Sequence, residues 1–94
     1  MSYRVEYTHA ALLQLNKLDP QIRREVFGDI DRLGDNPRPH GVSKLEARKK
    51  LYRVYVGPGK HYHAIHQIQE TVLLVLVVKV GDRKEVWLVR RICG

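Results

Sequence analysis

Between residues 71 and 80 the chain reads TVLLVLVVKV, apolar at nearly every position. Its unbroken apolar part, residues 72–78, is far shorter than the ~20 residues needed to cross a bilayer. The run is rich in valine and has no polar alternation, so both of its faces have to be covered. A strand of that kind belongs in the middle of a sheet, with another layer packed over it.

The rest of the sequence supplies partners for it. YRVEY alternates and is aromatic and β-branched, which predicts a strand over residues 2–7. Thr8 is placed to cap a helix running to residue 17, with Leu12, Leu15 and Leu18 on one face. Asp19-Pro20 restarts the chain as a second helix, Asp as N-cap and Pro at the first helical position. That helix carries Ile22, Val26, Ile30 and Leu33 as its apolar stripe. Arg23, Arg24, Asp29, Asp31 and Arg32 form a solvated outer face, and Gly34 ends the helix before the loop DNPRPHG.

After the basic loop KLEARKK the period becomes two. Tyr52, Val54 and Val56 point one way, Arg53 and Tyr55 the other. GPGK reads as a type II turn with Pro58 second and Gly59 third, and residues 61–69 as the returning strand. Glu70-Thr71 begins the next reversal into the apolar strand. GDRKEVW then turns the chain into a last short strand, and LVRRICG is a tail or a helical turn. The expected order is βααβββ: an α+β fold with an N-terminal strand and a two-helix hairpin on one face of a mostly antiparallel sheet. Residues 1–94 make one domain, since no second core could be built from what remains.

Charge is unevenly placed. Of 17 basic and 10 acidic side chains, residues 1–37 hold a net of −1 and residues 38–94 a net of +8. Such an excess calls for a polyanionic or acidic partner. Cys93 is the only cysteine, so no intramolecular disulfide forms and a reducing compartment is expected. The N-terminal residues lack the layout of a signal peptide. A cytoplasmic protein with no membrane association is the expectation.

The same C-terminal part holds His61, His63 and His66. Alternation sends His66 to the face opposite His61 and His63, so a metal site with convergent ligands is not expected. Neither serine lies in a nucleophile-elbow setting, and no glycine-rich loop leads from a strand into a helix. What remains is a shared sheet face bearing Arg53, Tyr55, His61 and His63, with Arg83 and Lys84 arriving at the same end. Guanidinium forks bind phosphate, aromatic rings stack on unpaired bases, and imidazole moves protons near neutral pH. Those are the parts of a metal-independent ribonuclease. They are also what an ordinary solvated strand face contains.

In order and spacing the chain resembles the RelE/ParE superfamily of bacterial toxins. The stretches that carry the likeness are YRVEYTHAALLQLNKLDPQIRREVFGDIDRLGDNPR, KLEARKKLYRVYVG, HYHAIHQI and VLVVKVGDRKEVW. The resemblance implies one half of a type II toxin–antitoxin pair, neutralised by a cognate acidic antitoxin. The RelE branch cleaves mRNA in the ribosomal A site without a cofactor. The ParE branch inhibits DNA gyrase by binding.

Carried over residue by residue, the RelE reading makes Arg83 and Arg53 the phosphate-holding pair and His63 the proton carrier. Tyr55 stands where a second basic residue is common. His63 takes the place of an arginine, and Trp87 that of the catalytic tyrosine. Trp87 would stack on a base, and His61 is the alternative proton carrier. Lys44, Arg48, Lys49, Lys50 and Lys84 would grip RNA of the ribosome. The expectation is therefore an mRNA endonuclease. The alternatives are a ParE-like gyrase inhibitor, or a weakened nuclease kept for antitoxin binding and, in a toxin–antitoxin hetero-oligomer, for binding operator DNA.

Overall fold

A computed structural model describes residues 2–46 and 48–83. The chain forms β1 (Arg4–Tyr7), α1 (His9–Asn16), α2 (Pro20–Asp31), β2 (Ser43–Glu46), β3 (Leu51–Val56), β4 (Tyr62–Gln69) and β5 (Leu74–Asp82). The five strands make one sheet in the order β1-β5-β4-β3-β2. Only the β1–β5 pair is parallel. The apolar strand thus lies between β1 and β4, as its composition required.

Both helices pack on one face, and the core beneath them contains Ala11, Leu15, Val26, Ile30, Leu33, Val56, Ala64, Val75, Val77 and Val80. The stripe of α2 is as its spacing predicted. That of α1 is shifted: Ala11 and Leu15 are buried, Leu18 packs against the core, and Leu12 stands in solvent. Spacing from Leu15 allowed either solution. The small Ala11 is the one that lets the helix approach the sheet.

Asp19 is the N-cap of α2, but its side chain makes no capping bond, and Pro20 at the first position helps to set the start instead. Gly34 does more than stop the helix. Its carbonyl accepts Tyr3 N–H at 2.6 Å, and a Cβ there would lie 2.8 Å from the Tyr3 oxygen.

Two expectations about the strands change. Lys44 lies in β2, an edge strand where a loop was expected; its register slips at Leu45, which hid the alternation. Gly81 and Asp82, where a turn was expected, do not turn: both still pair with β4. The strand expected after residue 84, and the segment holding Cys93, lie outside the described residues. The GPGK turn is as expected: Lys60 N–H bonds Gly57 O at 3.0 Å, and Gly59 takes the positive φ of 63°.

One irregularity positions the site. Along β5, Ile65 pairs with Lys79 and His66 with Val77, leaving Val78 as a bulge. Past Tyr7 the neighbouring strand ends, and α1 takes over the free backbone groups. Thr8 Oγ1 donates to Val78 O at 3.2 Å, and Gln14 Oε1 accepts Val80 N–H at 2.7 Å. Thr8 Oγ1 also accepts from Ala11 N–H at 3.2 Å, the expected cap.

Candidate nucleic-acid interface

The face away from the helices is where β3 and β4 place the expected residues. Tyr55 pairs with His63, and Arg53 with Ile65, so all four side chains share that face. The guanidinium carbon of Arg53 lies 5.4 Å from the centroid of the Tyr55 ring, and that of Arg83 lies 4.3 Å from it. Arg83 is brought there by its backbone: its N–H bonds His61 O at 2.9 Å, just past the hairpin turn. Two cations therefore meet on one aromatic ring, an arrangement worth about 0.5–1 kcal/mol per contact at exposed sites.

Neither arginine forms an ion pair among the described residues. Arg53 Nε is buried and donates to no acceptor among them. A guanidinium edge held this way is a donor awaiting an acceptor.

The histidines part company. His63 is fully buried on the Tyr55 face. His61 precedes β4, is exposed, and lays its ring over Gly59, so it does not share the face with His63 as expected. Its contribution there is the carbonyl that anchors Arg83. His66 faces the helix side, as alternation predicted. Its Nε2 lies 2.9 Å from Pro37 O, to which it donates, and its ring stacks on Tyr52 at 5.9 Å. Burial holds the His66 pKa below its ordinary value, and Arg38 nearby adds to the effect against the opposing Pro37 bond. It is a packing residue. No group of histidine, cysteine or carboxylate side chains among the described residues converges on a metal position.

The basic turn makes a second, separate patch. Arg48, Lys49 and Lys50 are exposed, with Lys49 O accepting from Gln67 Nε2 at 3.0 Å and Lys50 O from Ile68 N–H at 3.1 Å. Lys50 Nζ lies 3.5 Å from Glu70, which Arg38 also reaches at 3.1 Å, so Lys50 is partly neutralised. Lys44, in β2, is exposed. Five residues of extended chain, about 16 Å, separate Lys50 from Tyr55. The structure does not merge this patch with the arginine cluster. Lys84 and Trp87 lie outside the described residues.

A cleft of about 540 Å³ lies along the part of β3 whose edge β2 no longer covers, and Tyr55 is one of its lining residues. Asp29, Leu33, Val54 and Val56 are among its walls. Asp29 is occupied there, accepting Gly57 N–H at 2.8 Å and pairing with Arg32.

Sequence reasoning missed Lys79. The ladder puts it opposite Ile65 and hence in one cross-strand row with Arg53. Strict alternation from Val75 and Val77, both in the core, would have sent it inward. Only the bulge reverses that, and no sequence signal marked the bulge.

Known proteins share this architecture. E. coli toxin RelE, in the free state of an arginine mutant, superposes with a TM-score of 0.73 over 98% of this chain and 99% of that one, at 22% identity. RelE of Pyrococcus horikoshii, in its complex with RelB, gives 0.72 over 88% and 97%, at 26% identity. A putative RelE-like toxin protein of Escherichia coli is 27% identical over 84 residues, 89% of this chain and 86% of the relative. The model of the ParE toxin of type II toxin–antitoxin systems (parDE) matches residues 5–87. With that match spanning nearly the whole chain, on a fold shared with RelE, the protein belongs to the ParE toxin family within the RelE/ParE superfamily and is a toxin of the type II toxin–antitoxin class.

Proposed function

We propose that this toxin cleaves ribosome-bound mRNA, with the Arg53–Tyr55–Arg83 cluster as its substrate-binding centre. The observation that carries the reading is the pair of guanidiniums gathered on the Tyr55 ring, on a face with His63 at its floor. Arg83 and Arg53 hold the scissile phosphate and stabilise the charge that develops on it. Tyr55, released from its cations when they turn to phosphate, stacks on a base.

His63 carries the proton. Its ring is covered in this state, so RNA reaches it only by displacing what lies above, and binding energy has to cover that cost. Arg48, Lys49 and Lys44 add sequence-independent contacts to ribosomal RNA. A chain of net charge +7 is neutralised by an acidic antitoxin, and the RelE–RelB complex of P. horikoshii supports such a partner.

The gyrase reading has an observation of its own. The family match is to ParE, and a covered His63 is of no use to a nuclease that cannot uncover it. Parallel assays separate the two. The nuclease reading predicts truncated mRNA in a purified translation system and unchanged gyrase supercoiling. Inhibited supercoiling with intact mRNA would replace it with the gyrase reading.

A further inference from the structure

We infer that Lys79 is a third phosphate contact of this face, set there by the β5 bulge; the inference rests on RNA being what the face binds. The register places Arg53, Ile65 and Lys79 in one row, and Tyr55, His63 and Gly81 in the next. Strands are about 4.8 Å apart, so the Lys79 backbone lies about 10 Å from that of Arg53, with buried Ile65 between them. A lysine stem spans much of that interval. Arg83 and Arg53 flank Tyr55 on the β3 side, and Lys79 extends the positive surface to β5.

Two features make this more than a solvated lysine. Lys79 is half-buried and has no ion pair among the described residues. Among the described residues, the carboxylate that the neighbouring β1 brings to its face, Glu6 opposite Leu76, is taken by Arg4 at 2.9 Å. A third cation beside two arginines is repulsive at rest, and a polyanion relieves the repulsion.

The second feature is structural investment. Were β5 regular, with Val78 opposite Ile65, position 79 would face the core beneath the helices, where a lysine is not tolerated. The bulge turns it outward, and Thr8 and Gln14 of α1 hold the bulge in place. Bulges commonly re-aim a side chain beside a site.

The test is the salt dependence of binding. A fluorescein-labelled 12-nucleotide single-stranded RNA is titrated with the purified protein by fluorescence anisotropy at several KCl concentrations. Removing one phosphate contact lowers the slope of log affinity against log salt by about 0.7. Lys79→Gln is expected to show that drop, with affinity roughly three- to ten-fold weaker at 0.1 M salt. Lys79→Arg should restore both, and Lys17→Gln, at the far end of α1, should change neither. Wild-type binding that weakens with Arg83→Gln but not with Lys79→Gln overturns this inference and leaves the function reading standing. A wild-type protein that binds no RNA overturns both. Equal urea midpoints for the two Lys79 variants assign the change to binding and not to folding.

Discussion

The hydroxyl of Thr8 makes two bonds at once, and valine, its isostere, removes both. As N-cap it accepts Ala11 N–H at 3.2 Å; as a donor it satisfies the bulge carbonyl of Val78 at 3.2 Å. Losing a cap of this type costs about 1 kcal/mol. Leaving the half-buried carbonyl without its donor costs about another 1 kcal/mol, the lower end of the range because water still reaches the site. Thr8 sits in extended backbone (φ −71°, ψ 160°), which valine adopts freely, so no strain is added. The sum is about 2 kcal/mol. With a urea dependence of about 1.5 kcal/mol per molar, the unfolding midpoint of Thr8→Val should fall by about 1.3 M. Thr8→Ser keeps the hydroxyl and should lose less than about 0.5 kcal/mol. Urea titrations followed by far-ultraviolet circular dichroism measure both. A Thr8→Val midpoint within experimental error of wild type, or a Thr8→Ser variant that falls as far, would refute the double role.

Two further outcomes follow from local geometry. Gly34→Ala forces a methyl to within 2.8 Å of the Tyr3 oxygen, against a backbone bond already at 2.6 Å; destabilisation of about 1–3 kcal/mol is expected in the same titration, and a neutral result would mean that β1 is free to move off the turn. For His66 the sign runs with acid. Its folded pKa is depressed, so its contribution is complete above the unfolded value near 6.5 and is lost as pH falls below that, with a slope of at most about 1.4 kcal/mol per pH unit. The stability difference between wild type and His66→Gln should therefore shrink between pH 7.5 and 5, and a constant or growing difference would contradict the assignment of His66 as a buried neutral donor.

The helical hairpin, the β3–β4 hairpin and the central placement of the apolar strand were legible because each is written as a periodicity, an apolar run or a punctuated turn. So was the opposition of His63 and His66, which needs only the two-residue period of a strand. What escaped reading was whatever depends on a break in that period. The slip at Leu45 disguised β2, and the bulge at Val78 concealed Lys79 on the cationic face. Leu12 reads as inward because hydrophobicity alone does not tell a leucine from an alanine that permits closer approach. His61 illustrates the remaining gap. Its residue type suggested chemistry, whereas its place in the fold gives it a carbonyl that fixes Arg83.

The account stands or falls on whether the Arg53–Tyr55–Arg83 cluster acts on mRNA. Primer extension on a reporter mRNA in a purified translation system measures this directly, comparing wild type with an Arg53→Gln/Arg83→Gln double variant, with and without ribosomes. The account predicts new 5′ ends with wild type only when ribosomes are present, reduced by at least about a hundredfold in the double variant, as when preorganised charge stabilisation is removed from a phosphoryl transition state. Intact mRNA with wild type, or cleavage by the double variant at the wild-type rate, would contradict it.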